Sequence, residues 1–269
     1  MIGHDQYNPV NPSIFKIIVQ TMKATILEKL KAIEHQFDVR ILYACESGSR
    51  AWGFASPDSD YDVRFVYVHK TDHYLSIDDQ RDVIEVPIND LLDINGWELR
   101  KALRLFRKSN APLFEWLQSP IVYAADPTFV SDMKALMPTY FSPRAGMHHY
   151  LSMAKGVFES ELSGEMVKLK RYFYALRPVL AAKWIADIKS VPPMDFKSLS
   201  VLLPEQISTL VDELLLIKAK VDESFMIETK SEINAFIGEC IRYCEARVPQ
   251  AITSDNHVEL NKLFKRYVA

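Results

Sequence analysis

The Gly48-Ser49 turn of Ser47-Gly48-Ser49-Arg50 is followed, after ten intervening residues (50–59), by the acidic pair Asp60-Tyr61-Asp62. Apolar, strand-like residues flank both parts: Ile41-Leu42-Tyr43-Ala44 before the first and Val63-Arg64-Phe65-Val66-Tyr67-Val68 after the second. Alternate residues of a strand point to one face, so Asp60 and Asp62 project their carboxylates the same way. Two carboxylates in one cleft repel, and one tends to take up a proton. A divalent cation removes that conflict. Mg²⁺ suits hard oxygen ligands and binds through one or two carboxylates, with substrate phosphates and water completing its octahedron. With two metal ions, one activates an attacking hydroxyl and the other neutralises a leaving pyrophosphate.

The Gly-Ser turn supplies the complementary half. Gly48 lets backbone approach a ligand closely or adopt a positive φ. Successive N–H groups in such a turn make an anion-binding concavity. Ser49 offers a hydroxyl, and Arg50 a planar fork of donors matched to phosphate. Gly53 gives a second flexible point before the turn-rich stretch Ser56-Pro57-Asp58-Ser59. Alone, a Gly-Ser pair is a turn and an Asp-x-Asp pair a solvated strand edge. In this order, between two apolar strands, they point to nucleotidyl transfer.

Gly-Ser, about ten residues, then Asp-x-Asp resembles the DNA-polymerase-β-type nucleotidyltransferase superfamily. The longer runs Glu46-Ser47-Gly48-Ser49-Arg50-Ala51-Trp52-Gly53-Phe54 and Ser59-Asp60-Tyr61-Asp62-Val63-Arg64 resemble its RNA-repair-associated branch, RlaP. Gly96-Trp97-Glu98-Leu99-Arg100-Lys101-Ala102-Leu103, Glu115-Trp116-Leu117-Gln118-Ser119-Pro120 and Tyr172-Phe173-Tyr174-Ala175-Leu176-Arg177-Pro178 extend the similarity, which runs from about Val39 to Pro193. The resemblance implies a third carboxylate that helps activate the nucleophile. Asp93 fits the branch's Asp-x-x-Gly-Trp pattern and is favoured; Glu85 and Asp90 are the other candidates. An acid near a helix N-terminus also serves capping alone, so a purely stabilising Asp93 stays open.

Farther along, Lys170, Tyr174 and Arg177 stand at i, i+4 and i+7, on one helix face. A cation, a ring and a guanidinium on one stripe suit a triphosphate and its base, and the match of the surrounding run to the branch strengthens that reading. A solvated basic face is the plainer alternative. Lys168 and Arg171 lie nearby. Lys101 and Arg104, on the helix after Asp93, could help with phosphates or simply face solvent. Glu115 is expected to hold an arginine in place and Trp116 to pack the two parts of the chain together. Adjacent His148 and His149 point about 100° apart on a helix and are read as structural or surface residues.

The elements that must position these residues read as follows. Helical spacing runs from Ser13, a plausible N-cap, to about Gln36, after an irregular lead. Strands follow at Val39 to Cys45 and Asp60 to His69, with a short helix over Ser49 to Phe54 between them. Asp82 to Ile88 reads as a strand ended by Pro87 and Asn89-Asp90, and Leu91 to Ile94 as a short one. Asn95-Gly96-Trp97-Glu98 reads as a capping box opening a helix to about Lys108. A short helix carries Phe114, Trp116 and Leu117. Asp126-Pro127 and Ser142-Pro143 open helices in the N-cap/N1 manner. The remainder reads as helices over about 143–162, 164–189, 204–220, 222–247 and 255–267. The expected fold is α+β: a small mixed-sheet polymerase-β-like nucleotidyltransferase domain over residues 1–124, then an all-helical domain over 125–269.

The chain has 269 residues, a net charge of −3 and 48% hydrophobic residues. That balance gives no global attraction to nucleic acid, so RNA binding would need a local basic face. Three cysteines, Cys45, Cys240 and Cys244, argue for core packing in a reducing compartment over a disulfide framework. No segment has the roughly 18 consecutive apolar residues of a bilayer span, and the amino terminus lacks a secretory pattern, so the cytoplasm and no membrane partner are expected. The activity expected is Mg²⁺-dependent transfer of a nucleoside monophosphate from a nucleoside triphosphate, such as ATP, to a hydroxyl. Two ions are expected, with Mn²⁺ as an alternative. Asp60, Asp62 and Asp93 would act as catalytic and metal-binding residues; Gly48, Ser49, Arg50, Lys170, Tyr174 and Arg177 would hold the nucleotide and its phosphates. The branch resemblance implies an RNA end as acceptor; a protein or a small molecule such as an aminoglycoside is the alternative. A non-catalytic nucleotide-binding module, regulatory or toxin-neutralising, is the reading of a different kind. Base preference and oligomeric state stay open.

Overall fold

A computed structural model describes residues 12–78, 80–86, 91–250 and 257–269, with side chains described from residue 20 onward. The candidate acid Asp90, and the turn signals Pro87 and Asn89 beside it, lie outside the described residues, as do the amino-terminal lead and the side chain of Ser13. The chain opens with α1 (Pro12–Phe37), β1 (Val39–Ser47), α2 (Gly48–Trp52), β2 (Tyr61–His69), α3 (Thr71–Tyr74), β3 (Val83–Glu85), β4 (Leu92–Glu98), α4 (Leu99–Arg107), α5 (Ala111–Trp116) and β5 (Val122–Ala125). It continues with α6 (Pro127–Tyr140), α7 (Pro143–Glu161), β6 (Met166–Lys168), α8 (Leu169–Ile188), α9 (Phe196–Ser200), α10 (Glu205–Lys218), β7 (Met226–Glu228), α11 (Ser231–Glu245) and α12 (Val258–Val268). The α+β expectation holds: a five-stranded mixed sheet precedes a largely helical remainder. The strand order is β3-β4-β2-β1-β5, with β2 and β4 parallel and the other neighbours antiparallel.

Alternation decides what each sheet face does. Val63, Phe65 and Tyr67 of β2 and Leu92 and Ile94 of β4 are buried with Ile26, Leu30 and Ile33 of α1. Val66 and Val68 of β2 pack on the other face, under Leu99, Ala102, Leu103 and Phe106 of α4 and Leu260 and Leu263 of α12. Asp62 and Arg64 share the parity of Val66, so they belong to that second face, at the end the helices leave open.

The Asn95 to Glu98 capping box is overturned. Those residues are strand: β4 runs through them in parallel register with β2, from Tyr61↔Leu92 to Tyr67↔Glu98. Gly96 is required there by close approach, since a Cβ would lie 2.2 Å from the Phe65 ring. Glu98 is itself the N-cap of α4, accepting from the N–H groups of Arg100 and Lys101. Strand β5 was not expected. The helices expected over 164–189 and 222–247 each begin with a three-residue strand, and β6 pairs with β7. Three residues are too short for a periodic signal; only the long-range pairing creates them. Asp126 and Ser142 do cap α6 and α7, with proline in the first turn.

The helical core is centred on α8, in which twelve residues are buried. Phe54, just past α2, reaches into it and stacks on Phe173 at 5.3 Å and meets Phe196 edge-on at 5.7 Å. The Gly-Ser turn is thereby anchored from the helical side as well as from the sheet. Cys45, Cys240 and Cys244 are free and buried, as core residues.

Candidate active site

The acids converge at one end of the β2–β4 pair. Parallel register sets Asp62 directly beside Asp93. Both belong to the open face, and Asp60 lies one residue before β2 with the same parity. Arg64, two residues after Asp62, closes the set: its Nη2 lies 3.1 Å from Asp62 Oδ1 and 2.7 Å from Asp93 Oδ2. Its Nη1 donates to the carbonyls of Val63 and Asp93. Glu85 sits on edge strand β3, opposite Asn95, and pairs with Arg81 at the surface. Among the described candidates, Asp93 is the one placed against Asp62.

Gly48 stands across from Asp62 with φ +62°, in the left-handed region. A Cβ there would come within 2.0 Å of Asp62 Oδ2, so only glycine admits the acid at this distance. Ser49 is buried at the start of α2, its carbonyl accepting from Gly53 and Phe54. Among the described residues its hydroxyl makes no hydrogen bond. Behind the turn, Glu46 is fully buried and accepts from the Asp62 N–H at 2.7 Å and from the Tyr123 hydroxyl. Burial, with Asp62 adding to it, pushes the Glu46 carboxyl up to about 7.

Arg50 takes a different role from the phosphate-binding one expected. Its Nε donates to the Asp60 carbonyl at 3.0 Å, its guanidinium also reaches the Ser59 carbonyl, and it lies 3.8 Å over the Tyr61 ring. Its donors go to the backbone that leads into β2, where they fix Asp60. Arg177 departs further. It is 2% exposed, pairs with Glu115 Oε1 at 2.8 Å, donates from Nε to the Met194 carbonyl and lies 4.3 Å from the Trp52 ring. Lys170 and Arg177 share a helix face but differ in level by about 10 Å, and the lower level is inside the core. The arginine that Glu115 holds is therefore Arg177, which is spent on packing. Trp116 packs on the sheet side, 4.1 Å from the Trp97 ring.

Lys170 and Tyr174 do face the acids. Lys170 Nζ is 2.7 Å from Glu223 Oε2. Tyr174 meets Trp52 edge-on at 5.8 Å, and burial, with Glu223 and Asp62 nearby, pushes its hydroxyl up to about 12. Sequence reasoning passed over Glu223, which also accepts from Ser59 Oγ at 2.8 Å, while its N–H bonds Asp58. Burial works against its charge, but Lys170, Ser59 and Lys218 hold it below the ordinary glutamate value. Lys218, 2% exposed, donates to Ser56 Oγ at 2.8 Å. The Ser56–Ser59 turn before the acids is thus clamped from α10 and the segment after it. No local signal marks Glu223 or Lys218. Arg64 and Glu46 lie inside the motif, and strand parity could have found Arg64.

Burial raises the pKa of both Asp60 and Asp62; Glu223 and Asp58 add to it at Asp60, and Asp93, Asp60 and Glu223 at Asp62, where Arg64 opposes it. A cation relieves that strain. Arg64 Nη2 already reaches Asp62 and Asp93 together, so one positive centre can serve both. Among the described residues no three His, Cys, Asp or Glu side chains form a ready-made metal cage. Mg²⁺ needs only one or two carboxylates beside substrate phosphates and water, so this donor set fits it.

Residues 22–266 match the family RlaP, described as an RNA repair pathway DNA polymerase beta family. The chain belongs to that family. It is also similar to a protein of Bacillus subtilis (strain 168) named "Uncharacterized protein YcgL". The two are 48% identical over 246 residues, covering 90% of this chain and 95% of that one. By family, then, this RlaP protein is a polymerase-β-like nucleotidyltransferase. A crystal structure of a nucleotidyltransferase-like protein from Exiguobacterium sibiricum 255-15 overlaps 83% of this chain and 74% of that chain, at 11% identity and a TM-score of 0.31. Among the described residues no helix is long and apolar enough to cross a membrane.

Proposed function

We propose that this protein transfers a nucleoside monophosphate from a nucleoside triphosphate to a hydroxyl, with release of pyrophosphate, and that the hydroxyl belongs to an RNA end. The observation that carries this reading is the register of β2 and β4. It sets Asp62 beside Asp93, with Asp60 on the same side, against a left-handed Gly48 that touches Asp62. Bound Mg²⁺, or Mn²⁺ in its place, would be held by Asp60, Asp62 and Asp93, and would supply Lewis-acid activation of the hydroxyl and charge neutralisation of pyrophosphate.

The chain's own residues do the rest by positioning and charge. The Gly48 turn and the Ser49 hydroxyl bind the outer phosphates. Lys170, steadied by Glu223, adds positive charge beside them, and Tyr174 offers a ring edge to the base. Arg50 holds the Ser59 and Asp60 carbonyls, so that Asp60 enters the cleft at a fixed angle. Asp93 accepts the proton of the attacking hydroxyl or orients it. The RNA end is supported by the family's description as an RNA repair pathway family; a protein or small-molecule hydroxyl is the other acceptor class.

One observation favours a second reading, a nucleotide-binding module without turnover: Arg64 pairs with both Asp62 and Asp93 and offsets part of their charge. Incubation with each labelled triphosphate, Mg²⁺ and a panel of RNA ends separates the two. Nucleotidyl transfer predicts pyrophosphate release, abolished in Asp60→Asn with Asp62→Asn while the unfolding midpoint is kept. Activity that persists in the double variant removes the proposed roles. Nucleotide binding without release under any condition favours the module.

A further inference from the structure

Two adjoining cavities share Arg107 and contain none of the cleft residues. The larger, about 1270 Å³, is lined by four cations, Arg107, Lys108, Lys134 and Lys189, and among the described residues by no Asp or Glu. The smaller, about 370 Å³, is lined by Arg100, Arg104 and Arg107, again with no Asp or Glu among the described residues. Arg100, Arg104, Arg107 and Lys108 stand at i, i+4, i+7 and i+8, a single stripe about 12 Å long on the exposed side of α4. All six cations are exposed, and among the described residues none makes an ion pair. On the far side of Arg100 and Arg104 lie Asp78, Asp82 and Glu98. Asp82 pairs with Lys101 and Glu98 accepts from Tyr74 and from the N–H groups of Arg100 and Lys101, while Asp132 pairs with Arg266 and Glu259 with Lys262. Arg100 is steadied over the rings of Tyr74 and Phe264, 5.1 Å from each.

Helix dipoles favour cations at the carboxyl-terminal ends of α4 and α8. They do not account for Lys134, inside α6, or for four cations from three helices meeting in one concavity. They also do not account for Lys189, which holds φ 60° and ψ 27° as C-cap of α8, a left-handed position normally given to glycine. A side chain kept there against backbone preference points to a use for its charge. Unpaired like charges along a groove, on a chain of net charge −3, fit a linear polyanion.

We propose that this track binds the phosphodiester backbone of a single-stranded RNA. The assignment of that strand as the acceptor rests on the function proposed above; the track itself does not. Fluorescence anisotropy with a labelled mixed-sequence RNA strand tests it. If six phosphates are contacted, affinity falls roughly 300-fold for a fourfold rise in salt. The combined variant R107Q/K108Q/K134Q/K189Q should lower the log–log salt slope by about 3 and weaken binding at low salt at least tenfold, equally for every RNA sequence. Lys189→Gly gives a separate handle: relief of the left-handed backbone should raise the melting temperature while RNA binding weakens about fivefold at low salt. Asp60→Asn with Asp62→Asn should bind the RNA like the wild type. Failure of transfer with RNA binding intact would sink the catalytic reading and leave the track standing. The proposal is overturned if wild-type protein does not bind RNA at low salt, if the fourfold variant binds it unchanged, or if polyglutamate binds as tightly as RNA.

Discussion

Glu46→Gln should change how the stability of this protein depends on pH. Glu46 is fully buried on β1, with Asp62 N–H and the Tyr123 hydroxyl as its hydrogen-bond donors. Burial, reinforced by the Asp62 charge, raises its carboxyl from about 4.5 to about 7. The folded protein therefore holds this proton more tightly than the unfolded chain does. The stabilisation is fully present below the unfolded value and is lost as pH rises through the folded one. At about 1.4 kcal/mol per pH unit the loss amounts to about 3 kcal/mol. Glutamine keeps the shape and carries no titrating proton. Urea unfolding of both proteins from about pH 4 to pH 9 reads the difference. The wild type should lose about 3 kcal/mol more than the variant across that range, most of it between pH 5 and pH 7. Parallel curves, or a wild type that gains on the variant as pH rises, would refute the argument that burial governs this carboxyl.

Two further outcomes follow from the site geometry. Gly48→Ala places a methyl 2.0 Å from Asp62 Oδ2 on a left-handed backbone, so stability should fall by about 2–4 kcal/mol and transfer should be lost. A variant of unchanged unfolding midpoint and activity would show that the turn and Asp62 are not in contact. Arg177→Met strands Glu115 in the core and should cost about 3–5 kcal/mol in chemical unfolding. A rise in KM for the triphosphate at unchanged stability would instead return Arg177 to the phosphates.

The sequence by itself determined what chemistry is carried and roughly where. Asp60, Asp62, Gly48 and Ser49 are legible because glycine at a turn and acids two apart on a strand are local facts, set by sterics and by the two-residue strand period. The capped helices α6 and α7 are legible for the same reason. Tertiary structure decided which distant groups meet. It made Asn95 to Glu98 strand, because pairing with β2 outweighs a capping signal, and so set Asp93 beside Asp62. It took Arg177 out of the nucleotide stripe, since helical spacing fixes direction and not depth. It brought Glu223 and Lys218 to the turn before the acids, across more than 160 residues of chain. Those contacts depend on long-range packing of α8 and α10 against Phe54 and the Ser56–Ser59 turn, and no local periodicity encodes a partner that far away.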